Sequence, residues 1–195
     1  MARDRASRPE AKPLRLFVAV DVPERVREGV RDAVGPLRER FPKARWVPTP
    51  NQHVTMKFLG ATWPRLVEWV SRTVAEVAVA NEPFETHVGG LGAFPSERRA
   101  RVLWASLDDE ASHFGRVAAS LDEALAREFP REERAFTPHL TVARFQPPVD
   151  VGDLLRDSGI GGDRFPVDGL VLYRSHLRRP APVYEALETF ALGGP

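Results

Sequence analysis

Four side chains in this sequence have the types and the spacing to do chemistry on a phosphodiester. The pattern His-x-Thr-apolar occurs twice, as His53-Val54-Thr55-Met56 and as His139-Leu140-Thr141-Val142. Two such copies arise by chance on the order of once in fifty sequences of this composition. On an extended strand residues i and i+2 share a face, so His53 and Thr55 project together, as do His139 and Thr141. If the two strands meet, two imidazoles and two hydroxyls converge on one volume. One neutral imidazole can then take a proton from water while a protonated one gives a proton to a leaving oxygen. The threonine hydroxyls can donate to non-bridging oxygens as negative charge builds on them.

Other readings compete. A single His-x-Thr on a strand is more often structural, with the histidine hydrogen-bonded at a sheet edge. A metal site built from His53, His139 and a distant carboxylate is a second alternative, but His87, His113 and His176 show no ligand spacing with carboxylates. No metal and no cofactor is expected.

The elements that must position these residues follow from the hydrophobic pattern. Leu14 to Val20 has the content of a buried strand. A helix begins after Asp21-Val22-Pro23, with Val26, Val30, Val34 and Leu37 at helical spacing. Arg45-Trp46-Val47 reads as a short strand. His53 to Leu59 alternates and ends at Gly60, turning Val54, Met56 and Phe58 to the core. A second helix covers Trp63 to Ala80, and a third runs from Glu110 to Phe129. Between them lie strands Phe84 to Leu91 and Arg101 to Leu107, joined by the loop Gly92–Arg99. After His139 to Val142 come a short helix at Val151 to Asp157 and closing strands at Gly169 to Tyr173 and Val183 to Leu192. Helices do not alternate regularly with strands, which predicts an α+β fold with antiparallel sheets.

The bulk composition narrows the classes. With 195 residues and 43% hydrophobic content the chain can bury a core, and its net charge of +1 argues against coating nucleic acid through bulk electrostatics. It has no cysteine, which excludes disulfides and thiol chemistry. Residues 1–13 read as a disordered tail and 14–192 as one catalytic domain. Leu14–Val22 is too short and too charged for a signal peptide or a membrane span, and a cytoplasmic monomer without a membrane or an obligate protein partner is expected. The arginines at 98, 99 and 101 and at 174, 178 and 179 read as solvated surface. Trp46, Trp63, Trp69 and Trp104 read as core.

The chain resembles the bacterial and archaeal RNA 2′,3′-cyclic phosphodiesterases, long called 2′-5′ RNA ligases, of the 2H phosphoesterase superfamily. The resemblance rests on RLFVAVDVP at 15–23, RWVP at 45–48, HVTMKFLG at 53–60, GLGAFP at 90–95, RVLWASL at 101–107, FTPHLTVARF at 136–145 and the closing LYRS. It implies a two-lobed fold with a central cleft and one His-x-Thr strand from each lobe. The implied substrate is RNA with a 2′,3′-cyclic phosphate end, opened to a 2′-phosphomonoester. His53 matches the family's general acid to the 3′ oxygen, which leaves His139 as the base. Arg144 matches an arginine that contacts the phosphate, and Phe17 an aromatic near the nucleobase. Strict alternation from His139 turns Arg144 to the opposite face, so it reaches phosphate only if the strand bends by Ala143. Ala181 stands where the family usually has glycine. The reverse reaction, joining a cyclic phosphate end to a 5′-hydroxyl, is a side activity open to the same site. Two further functions stay open: an RNA-end binding module without turnover, and an esterase acting on small cyclic nucleotides.

Overall fold

The computed structural model describes residues 12–156, 160–162 and 164–194. The expected tail at 1–13 thus lies largely outside the described residues, as does Asp157 of the expected short helix.

The N-terminal apolar run forms β1 (Leu14–Asp21), with Leu16 to Val20 buried. Pro23 precedes α1 (Glu24–Ala33), and its Val26 and Val30 face the interior. The valine and leucine pattern continues into α2 (Gly35–Arg40), yet the helix is broken at Val34 because Pro36 lacks the N–H that would carry it through. After β2 (Arg45–Trp46) and a 3-10 turn at Thr49–Asn51 comes β3 (His53–Thr62). Helix α3 (Pro64–Val79) is followed by β4 (Phe84–Thr86), β5 (Val88–Phe94) and β6 (Ala100–Leu107). Helix α4 (His113–Ala124) leads to β7 (His139–Val149), α5 (Gly152–Arg156), β8 (Phe165–Val167), β9 (Gly169–His176) and β10 (Val183–Ala191). None of the described helices is long and apolar enough to cross a membrane.

Every strand pairing among the described residues is antiparallel, giving the α+β class that the pattern predicts. One large sheet runs β10-β9-β1-β3-β7-β6-β5, with β2 beside β7, and β4 pairs β8 apart from it. Its midline is β3 against β7, where the registered contact is Val54 opposite Leu140. The two halves of the sheet are thus joined at the centre of the two His-x-Thr motifs. Helices α3 and α4 pack on the face to which Val54, Met56, Leu140 and Val142 point, and all four are buried there.

Two strand irregularities correct the alternation read from sequence. On β3 the partners of Val18 and Ala19 are Lys57 and Thr55, so Met56 is an extra residue. On β7 the partners of Leu103 and Trp104 are Ala143 and Thr141, so Val142 is extra. A bulge of this kind resets the two-residue phase. Consequently Phe58 does not enter the core: it is 62% exposed. Lys57, which strict alternation from His53 would turn outward, is 2% exposed. The same reset returns Arg144 to the His139 face and exposes it. Nor does β3 end at Gly60. Its left-handed φ of +65° permits a further irregularity, and the strand continues to Thr62.

The expected strand Phe84 to Leu91 divides into β4 and β5, which lie in different sheets, and two boundaries move. Strand β5 extends through Phe94, taking in part of the expected loop. Strand β7 runs to Val149, and β8 is an additional short strand.

Candidate active site

The register at the midline sets the geometry. Val54 and Leu140 face each other with both side chains buried. Their flanking residues therefore point to the opposite face, and antiparallel continuation lays His53 toward Thr141 and Thr55 toward His139. All four are half-buried. The two motifs thus form a local pseudo-two-fold, with Phe58 on one strand in the place that Arg144 takes on the other.

The His139 imidazole is oriented by the backbone two residues upstream. His139 donates Nδ1–H to the Thr137 carbonyl at 2.7 Å, which leaves Nε2 with a lone pair and no hydrogen-bond partner among the described residues. His53 has its Nε2 3.1 Å from Thr55 Oγ1, and the Asn51 backbone two residues upstream favours its charged form. The turn carrying Asn51 is itself pinned, since Asn51 Nδ2 donates to the Pro182 carbonyl at 2.7 Å. That contact ties the turn to the loop that carries Ala181.

Aromatic rings enclose both histidines. Phe17, only 4% exposed, stacks beneath His53 at 4.8 Å between ring centroids. Tyr184 meets His53 edge-on at 5.2 Å, and Tyr173 stacks on Phe17 at 5.3 Å. On the other side Phe94 meets His139 edge-on at 5.4 Å and stacks on Trp104 at 5.0 Å. Of the four tryptophans expected in the core, Trp46 and Trp69 pack against it, Trp63 is exposed, and Trp104 lines the site. Tyr173, Tyr184, Phe94 and Trp104 are the site residues that sequence reasoning missed. For Phe94, Trp104 and Tyr173 the signal was present in the landmarks GLGAFP, RVLWASL and LYRS, but only the sheet order brings those segments to the motifs.

Burial lowers both histidine pKa values, because a charged imidazole loses water there. His53 falls to about 4, with the Asn51 backbone and Asp21 opposing the fall and His139 adding to it. His139 is also lowered, by burial and by the Arg144 charge, against the pull of the Thr137 carbonyl. Tyr173 is raised by burial and by its hydrogen bond to Asp21, which it makes through its hydroxyl at 2.6 Å. Among the described residues no three His, Asp or Glu side chains cluster as metal ligands.

The antiparallel sheet thus carries both His-x-Thr motifs at its midline. The chain belongs to the LigT-like phosphoesterase family, whose model matches residues 20–104 and 107–184. The RNA 2′,3′-cyclic phosphodiesterase of Thermus thermophilus is 35% identical, over 93% of this chain and 91% of that protein. The enzyme of the same name from Methanothermobacter thermautotrophicus is 31% identical, over 92% and 99%. A crystal structure of a Thermus thermophilus protein superposes with a TM-score of 0.77 at 31% identity, covering 93% of this chain and 99% of that one. Escherichia coli LigT, solved with 3′-AMP, shares the fold at 23% identity and a TM-score of 0.72, covering 92% and 98%.

Proposed function

We propose that this phosphoesterase opens 2′,3′-cyclic phosphate ends of RNA to 2′-phosphomonoesters, without a metal, using His53, Thr55, His139 and Thr141. The observation that carries the reading is the Val54–Leu140 contact, because it sets both His-x-Thr pairs on one face of one sheet. The names of the relatives supply the substrate class.

In this mechanism water sits on the His139 side. Nε2 of His139 accepts its proton as the new O–P bond forms, and His53 gives a proton to O3′ as the P–O3′ bond breaks. Thr55, Thr141 and the Arg144 guanidinium donate to the non-bridging oxygens. The lone pair left on His139 by its bond to Thr137 supports its role as base. His53 must be protonated to act as acid, and in the empty site its pKa of about 4 leaves it neutral near pH 7. A bound phosphodiester anion opposes that depression, so His53 takes up its proton with the substrate. Phe17 serves beneath His53 as a floor, and the half-buried Tyr173 and Tyr184 extend that aromatic wall toward the nucleobase of the terminal nucleoside. When a ribose hydroxyl replaces water, the same steps run as ligation.

The test is the product. RNA ending in a 2′,3′-cyclic phosphate, incubated with the protein in a chelator, should yield a 2′-phosphate end identified by chromatography. A 3′-phosphate product would reverse the roles given to the two ribose oxygens. Loss of activity in chelator, restored by a divalent ion, would overturn the metal-free scheme, and no product at all would favour the binding module.

A further inference from the structure

The segment Gly90–Pro95 takes no part in the hydrolysis just described, yet it builds a flat aromatic surface at the edge of the site. Phe94, at the end of β5, is 36% exposed. Its ring stacks on Trp104 at 5.0 Å with 28° between planes, and its edge meets His139 at 5.4 Å. Trp104 itself lies 6.0 Å from His139. The indole lies flat across Gly92, where a Cβ would come within 2.3 Å of the ring. Glycine is thus what lets the tryptophan lie down beside Phe94.

In-line displacement at phosphorus puts the attacking and leaving oxygens on opposite sides. With His53 serving O3′, the terminal ribose belongs to the half-site walled by Tyr173 and Tyr184. The attacking oxygen then belongs to the half walled by Phe94 and Trp104. Water needs no aromatic wall, but a nucleoside does, since every base has a π-face that stacks on such rings. We propose that Phe94 and Trp104 form an acceptor subsite for an RNA strand that begins with a free 5′-hydroxyl. This rests on the reading of His139 as the base.

The step it supports is balanced. The 5′-hydroxyl gives its proton to Nε2 of His139 as the O5′–P bond forms. The P–O3′ bond breaks, O3′ takes the proton of His53, and a 2′-5′ phosphodiester with a free 3′-hydroxyl results. No further reactant is consumed.

The experiment incubates RNA ending in a 2′,3′-cyclic phosphate with rising amounts of a 5′-hydroxyl ApA dinucleotide. The ratio of 2′-5′-joined product to 2′-phosphate is read by chromatography. In the parent that ratio should rise and saturate. In Phe94→Ala it should fall on the order of tenfold at subsaturating acceptor, the usual size of a lost base–aromatic stack, while Phe94→Trp keeps it. Gly92→Ala, which pushes the indole out of place, should lower it as well. The ratio is insensitive to changes in total rate, so partial loss of activity in a variant does not obscure it. Hydrolysis by the parent with no joined product overturns the subsite, as does an unsaturable ratio that Phe94→Ala leaves unchanged. Failure of the parent to open the cyclic phosphate at all defeats the hydrolase reading itself, and this subsite with it.

Discussion

Arg144 stands on the same face as His139, and after burial its charge is what holds that imidazole's pKa down. A base must be neutral, so activity through His139 should rise with pH across its pKa. Removing the neighbouring charge should move that limb upward. Arg144→Gln is therefore expected to shift the limb of the pH–rate profile set by His139 to higher pH and to lower the maximum about tenfold or more, since a charge-assisted contact to phosphate is lost. Rates measured from pH 4 to 8 check it, and an unmoved limb contradicts the placement. The sequence already showed the two His-x-Thr pairs, because period two on a strand dictates their shared direction. It did not show where Phe58 and Arg144 point, because one extra residue reverses every side chain beyond it. Nothing in the types Met56 or Val142 marks either as that extra residue.

Among the elements, the buried ammonium of Lys57 ties three segments together. Lys57 on β3 pairs with Asp122 of α4, and its Nζ also donates to the Pro130 carbonyl at 2.6 Å. The same Asp122 oxygen accepts the Glu132 backbone N–H at 3.0 Å. A charge this deeply buried is stable only while its partner remains. Asp122→Leu should cost on the order of 3 kcal/mol by leaving the buried Lys57 ammonium uncompensated, and adding Lys57→Met should recover much of that. Urea unfolding of both variants checks this, and a single variant as stable as the parent would contradict it. Helices α3 and α4 were legible from their apolar stripes. Strand β8 was not, since three residues carry too little periodicity to register.

For the whole molecule, the neutral state of buried His53 couples folding to pH. Its folded pKa of about 4 lies below the ordinary value of 6.5, so between these pH values the unfolded chain binds more protons. The stability it contributes is complete above pH 6.5 and is lost as pH falls through about 4. His139, lowered in the same direction, adds to the effect. The urea midpoint should therefore drop between pH 6.5 and 4, and His53→Gln should drop less steeply; parallel curves would contradict the burial of a neutral imidazole. At this scale the antiparallel α+β class was readable from the irregular order of helices and strands. The single large sheet was not, because its midline contact, Val54 against Leu140, joins residues far apart in the chain.

The account stands on the two histidines acting as one unit, and a double-mutant cycle measures that directly. The rate of cyclic phosphate opening would be compared for the parent, His53→Ala, His139→Ala and the double variant. Each single change should cost on the order of 10² to 10⁴, and the double variant should be little slower than the worse of the two. A single variant within tenfold of the parent would contradict the pairing, as would a double variant whose loss equals the product of the two singles.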